Sequence, residues 1–285
     1  MKKACFGLLI VFFLLILFGL VVSLIGREGG IGEKVAVVKV QGPILSSQDI
    51  LDQLEQYRED SSVKAIVLRV DSPGGAVAPS QEIYEEVKKT ASKKPVVVSM
   101  GSVAASGGYY ISASATKILA NPGTITGSIG VIMEIPNLKG LMDKIGVKTE
   151  VIKSGRHKDL ASSFRGIGKE ERKILQGVLD NVHGQFIQAV AEGRKLSIER
   201  VKELADGRIF TGEQAKSLGL IDDIGNFKDA IALAGKLGGI KGKPKVVTRK
   251  EPFSLFSLLS GEQAKGIFKG LKQGIKWIEV KYMMY

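Results

Sequence analysis

In the stretch MGSVAASGGYYISASA, residues 100–115, two alanines precede a serine and two glycines follow it, just after the apolar run PVVVSM. Ser106 is either a small residue filling a tight turn or a nucleophile held at the end of a strand. A serine hydroxyl is a weak nucleophile until a neighbouring base takes its proton, so the second reading depends on a partner. The chain holds two histidines. His183 flanks the apolar stripe of a long helical pattern and reads as a packing residue, whereas His157 sits in SGRHKDL beside Lys158 and Asp159. Lys158 can act as a base only if its pKa falls from about 10.4 to roughly 7 or 8. Burial and the like charges of Arg156 and His157 would push it that way; without burial Lys158 is a solvated loop charge. An oxyanion needs backbone NH groups at a turn where a carbonyl can come close. Gly74 and Gly75 at the end of RVDSPGG, and Gly107 after Ser106, could supply them, or could serve only as turns. AASGG differs from the GxSxG nucleophile elbow in having Ala104 at the first position.

The elements that would hold these residues read as α/β. VAVVKV, SQDILDQLEQY, VKAIVLRV, PSQEIYEEVKKTA and PVVVSM alternate β-rich runs with helical patterns, which gives βαβ units and a largely parallel sheet covered by helices. The pattern continues with a helix from about Ala104, a strand near TKILANP, the turn-rich GTITGSIGV, a helix in LKGLMDKI and a strand in KTEVIKS, residues 148–154. From Lys169 to Glu192 apolar residues recur at three- and four-residue spacing as one long amphipathic helix, expected against the sheet or another copy of the chain. SIERVKELADG and TGEQAKSLGLIDDIG add two short helices with Ser or Thr at their starts.

Residues 4–25 carry no charge and are long enough to cross a bilayer. With Lys2 and Lys3 before them and the Arg27–Glu28 pair after, they read as an uncleaved anchor over residues 1–27 with the body outside the cytoplasmic membrane. Cys5 is the single cysteine, so the body over residues 28–250 holds no internal disulfide. Residues 251–285 form a basic amphipathic tail, with Ile267, Phe268, Leu271, Ile275 and Ile278 set against Lys265, Lys269, Lys272 and Lys276; it suits a bilayer surface or a neighbouring subunit. The net charge of +12 fits the membrane better than nucleic acid, since no basic run is interleaved with aromatics. No phosphate-cradling glycine motif and no Cys or His cluster occurs, so neither a cofactor nor a metal is expected. Two SxxK stretches, Ser61–Lys64 and Ser114–Lys117, lack the companion motifs of penicillin-binding enzymes.

RVDSPGG, GSVAASGGYYIS, NPGTITGSIGV, SGRHKD and FTGEQAKSLGLIDDIG, in this order and spacing, resemble signal peptide peptidase A in its short single-domain form, over roughly residues 35–240. The resemblance implies a fold of the Clp protease and crotonase type, with repeated β-β-α units, and a membrane-anchored serine protease with a Ser-Lys dyad. It assigns Ser106 as nucleophile, Lys158 as general base and Ser128 as the hydroxyl that orients the lysine, and gives the oxyanion the amides of Gly75 and Gly107. It implies apolar peptide substrates such as released signal peptides, and a homo-oligomeric ring, octameric by the family's pattern, with the dyad completed across subunits. No histidine stands in GTITGSIGV, about where Clp relatives carry their base, which leaves lysine. Rival readings are a Clp-class protease of stomatin-like membrane proteins, a non-catalytic membrane scaffold, and a crotonase-like acyl-CoA enzyme; an exported domain would have little access to CoA.

Overall fold

A computed structural model describes residues 13, 16, 32–249 and 280–283. The chain separates into two compact units, 1–33 and 34–285, and the elements named next belong to the second. Among the described residues no helix is long and apolar enough to cross a membrane; the span expected within 1–27 lies outside them, apart from the helical Phe13 and Ile16.

The elements run β1 (Lys34–Gln41), α1 (Gln48–Glu59), β2 (Val63–Ser72), β3 (Gly74–Ala76), α2 (Val77–Ala91), β4 (Val96–Ala105), α3 (Gly107–Ser112), β5 (Lys117–Ala120), β6 (Ile125–Gly127), β7 (Ile132–Met133) and α4 (Lys139–Ile145). They continue with α5 (Lys169–Arg194), α6 (Ile198–Leu204), β8 (Ile209–Thr211), α7 (Gly212–Ser217), β9 (Asp223–Ile224), α8 (Phe227–Leu237), β10 (Lys245–Thr248) and β11 (Val280–Met283). The main sheet has the order β10-β1-β2-β4-β5-β9, parallel throughout, with β6 joined to the far end of β4 and β8 antiparallel to β6.

Parallel strands covered on both faces read as continuous apolar runs, and the side chains of β1, β2 and β4 divide between two cores. Val35, Val37, Ala65, Val67 and Val97 meet Ala230 and Ala234 of α8 on one face. Ala36, Val38, Ile66, Leu68, Val96 and Val98 face the opposite core with Leu54 of α1, Ile83 and Val87 of α2 and Tyr109 of α3. The C-terminal half of α5 closes that core with Phe186, Ile187 and Val190, while its N-terminal half leaves Ile174 and Val178 exposed.

One irregularity steers the site. Val70 pairs with Met100 but Ser72 pairs with Ala104, so a single residue of β2 stands against three of β4. The Asp71 carboxylate fills the gap, its Oδ1 accepting from the Val103 NH at 3.1 Å. Such a bulge turns the end of a strand, and beyond it Val103–Ala105 leaves the β5 direction and pairs with β6.

Three expectations need correcting. The helix placed from about Ala104 begins at Gly107, because β4 continues through Ala105. The stretch 148–154 forms no strand and pairs with none among the described residues: Val151 is exposed and Ile152 fully so. Within the tail, residues 280–283 form a strand instead of continuing a helical pattern; the amphipathic stretch before them lies outside the described residues.

Candidate active site

Ser106 occupies the sharp turn between β4 and α3, with φ 54° and ψ −118°. Its NH donates to the Gly127 carbonyl at 2.8 Å and its carbonyl accepts from the Tyr110 NH at 2.8 Å, so the neighbouring strand and helix fix the turn. Behind it Tyr109 donates from its hydroxyl to the Leu220 carbonyl at 2.8 Å, and Tyr110 packs edge-on between Tyr84 and Phe186. The Ser106 side chain is buried, 1% exposed, and its Oγ has no hydrogen-bond partner among the described residues. Positive φ in a non-glycine residue costs about 1–3 kcal/mol. Ser106→Gly is therefore expected to raise stability by about 1 kcal/mol after glycine's own entropy cost, measured as a higher denaturation midpoint; a lower midpoint would show the turn to be unstrained.

The Gly75 segment is clamped across from it. The Ser72 hydroxyl accepts from the Gly74 NH at 3.1 Å, the Ile44 NH donates to the Gly74 carbonyl at 2.8 Å, and the Ala76 NH donates to the Ile44 carbonyl at 2.8 Å. A Cβ on Gly75 would collide with the Ile44 backbone, and one on Gly107 would stand 2.8 Å from Ser80 Oγ and 3.1 Å from the Gly75 nitrogen. Bare glycines let the two backbones approach this closely. Along this edge β11 runs antiparallel between β3 and β7, with Tyr282 opposite Gly75 and Lys281 opposite both Ala76 and Ile132. The edge beside Ser106 thus receives an extended chain by backbone pairing.

Ser128 lies next to Gly127, whose carbonyl holds Ser106. It is buried, has φ 50°, and its NH donates to the Arg208 carbonyl at 2.8 Å. The structure thus brings Ser106, Gly75, Gly107 and Ser128 together and leaves Lys158 apart: Lys158 is exposed, on the turn started by Gly155. His157, the other base considered, turns toward Glu170 at 3.6 Å.

The segment around Lys158 is fastened by a clasp the sequence did not announce. Arg165 donates to Asp159 Oδ2 at 2.8 Å and forks onto both carboxylate oxygens of Glu171, which also accepts from the Gly168 NH. Hydrogen bonds from Arg165 hold the Glu171 carboxyl down to about 2, and bonds from Arg165 and Lys153 hold Asp159 well below the usual carboxylate range. Both folded values are lowered, so the clasp contributes fully above the ordinary carboxylate range and is lost as pH falls toward about 2. Amide protection over residues 153–168, taken relative to the intrinsic pH-dependent exchange rate, is expected to stay constant above about pH 5, then to fall in acid before the sheet opens; protection unchanged down to about pH 2 would separate these amides from the clasp.

A Peptidase family S49 model matches residues 88–241 and a Clp protease model matches residues 35–124. A relative from Synechocystis, named as a candidate protease, is 44% identical over 87% of this chain and 91% of its own. One from Enterococcus faecium, named as a candidate signal peptide peptidase SppA, is 40% identical over 72% of this chain and 64% of its own. The chloroplastic serine protease SPPA of Arabidopsis thaliana is 33% identical over 84% of this chain and 36% of its own. The α/β sheet with its turned β4 fits the Clp-protease-like fold, and the chain is a serine-type peptidase. It belongs to peptidase family S49, as an SppA-like member.

Proposed function

We propose that this chain is a membrane-anchored endopeptidase that cuts apolar peptides, signal peptides released at the membrane among them, outside the cytoplasmic membrane. The observation that carries the reading is the meeting of Ser106 with Gly75 and Gly107 at an edge that accepts an extended chain. A peptide entering along β3 replaces β11 there and presents its carbonyl to Ser106.

In this reading Lys158 takes the proton of Ser106, and Oγ attacks the carbonyl carbon while the Gly75 and Gly107 NH groups hold the oxyanion. The carbon–nitrogen bond then breaks, Lys158 returns the proton to the leaving amine, and the acyl group remains on Ser106. Lys158 next deprotonates a water, whose oxygen displaces Oγ; that proton returns to Ser106, and the carboxylic acid leaves as its carboxylate after giving its remaining proton to solvent.

The lysine comes from a neighbouring copy of the chain, within a homo-oligomeric ring. Support comes from the exposed position of Lys158 and from Leu141, Ile145, Val151, Ile152 and Phe164, apolar side chains of the same region that the chain leaves exposed. Burial between subunits would cover them and strip water from the amine, which favours its neutral form.

The full chain in detergent is assayed on fluorogenic apolar peptides over a dilution series, with mass recorded in parallel and a fluorophosphonate probe added to the active fractions. Hydrolysis confined to the assembled form, with the probe on Ser106, is expected. Full activity in a stable monomer would reject the shared site, and an assembled but inactive protein would favour a membrane scaffold.

A further inference from the structure

The strands β10, β1, β2 and β4 are parallel neighbours, so all four start at one end of the sheet. Lysines gather there. Lys34 and Lys245 stand opposite each other where β1 and β10 begin. Lys64 follows the first residue of β2, and Lys93 and Lys94 lead into β4. Lys241 and Lys243, both exposed, lie in the loop from α8 to β10. That loop is held against β2: a Cβ on Gly238, where it starts, would stand 3.0 Å from the Lys64 carbonyl oxygen. Among the described residues, the acidic ones beside these strand starts are Glu33, Glu59 and Asp60. Glu59 takes Lys93 at 3.1 Å, and Asp60 accepts from the Ser62 hydroxyl at 2.7 Å. Lys94 donates to the carbonyls of Tyr57 at 2.9 Å and Asp60 at 2.6 Å, which fix its amine without neutralising it. Burial lowers the Lys94 pKa, and Lys64 and Lys93 push it the same way against Asp60 and Glu59. Positive charge is thus in excess at this end of the sheet.

We propose that this end of the sheet rests on anionic lipid headgroups, with Lys93, Lys241, Lys243 and Lys245 at the phosphates and Ser106, beyond the opposite end of β4, turned away from the bilayer. The inference rests on the anchored reading given above. The uncharged run closes at Ile25 and β1 opens at Lys34. A chain of that length reaches at most about 30 Å, which ties this end of the sheet to a bilayer that holds the run. The tether leaves the orientation open, and the charge sets it: lysines are drawn to an anionic surface within about one screening length, about 10 Å at ordinary ionic strength. Leu237, left exposed at the end of α8 just before the loop, suits the boundary between headgroups and acyl chains. Ser106 then meets peptides that have already left the bilayer.

The full chain is placed in lipid nanodiscs of phosphatidylcholine alone, or of equal parts phosphatidylcholine and phosphatidylglycerol. It is acylated briefly with a water-soluble succinimidyl ester, and modification at each lysine is read by mass spectrometry. Labelling of Lys93, Lys241, Lys243 and Lys245 is expected to fall at least about fivefold in the anionic discs and to recover in about 1 M salt, where the screening length shrinks to about 3 Å. Lys173 and Lys202, exposed on α5 and α6, should label alike in both lipids. Lys241→Glu combined with Lys243→Glu, two changes in an exposed loop, should remove the protection of Lys93 and Lys245. Equal labelling of the patch in the two lipids would overturn the inference. So would protection that covers Lys173 and Lys202 equally, which would mark the pull of net charge alone, or protection that survives the double substitution. A chain that enters discs of neither composition would sink the anchored reading and take the inference with it.

Discussion

Ser106→Ala is expected to lower kcat for apolar peptides by roughly 10⁴-fold to 10⁶-fold with little change in KM, and Lys158→Ala to do nearly the same. The reason is the division of labour in the proposed mechanism. Without Oγ no acyl intermediate forms, and without the amine the hydroxyl keeps its proton. The two losses should not add: the double variant falls to the same residual rate as either single one, because nucleophile and base act as one unit. A double variant far below both would mean that the two residues work independently. Ser106 is held by the Gly127 carbonyl and the Tyr110 NH through its backbone alone, so alanine keeps the turn and the loss reads as chemistry. Lys158 is exposed in the chain, so its removal leaves the core untouched. Retention of more than a tenth of the wild-type rate by Ser106→Ala would end the nucleophile reading.

Gly107→Ala is expected to cost a further distinct quantity, about 10²-fold to 10³-fold in kcat, the usual loss of one oxyanion donor. The added methyl would stand 3.1 Å from the Gly75 nitrogen and 2.8 Å from Ser80 Oγ. The serine can rotate away, but the Gly75 backbone is clamped by Ile44 on both sides. The methyl therefore wedges the two amides apart while Ser106 keeps its place. Thermal unfolding and mass in solution should stay near wild type, and fluorophosphonate labelling of Ser106 should slow in step with kcat. Gly75→Ala makes a poor test of the same point, since its methyl strikes the Ile44 backbone and the fold would suffer first. Unchanged kcat in a folded Gly107→Ala would place the oxyanion elsewhere.

Much of this fold was legible because strands buried on both faces and helices buried on one leave strong apolar patterns. β1, β2, β4 and the whole of α5 follow such patterns closely. The short edge elements do not. β6 lies inside GTITGSIGV, where glycines and threonines read as turn, and its strand state comes from pairing with the bent end of β4. Residues 148–154 show the reverse: Val147, Thr149 and Val151 alternate as a strand would, yet a strand needs a partner and none of the described strands pairs with them. The same distinction holds at the site. Ser106, Gly75, Gly107 and Ser128 sit on segments ordered by the chain's own core, so their meeting follows from sequence and fold together. Lys158 belongs to a segment whose apolar side chains point away from that core.

The positive φ of Ser106 also bears on how such a chain can change over generations. Glycine relieves that backbone and abolishes the hydroxyl, so one substitution makes the protein sturdier and useless as a peptidase. Most replacements elsewhere weaken a fold; here a gain in robustness lies at a hydroxyl the proposed chemistry cannot lose. A copy released from its peptidase duty should drift to glycine at this position early, and a serine kept there in such a strained turn is a sign of continuing use.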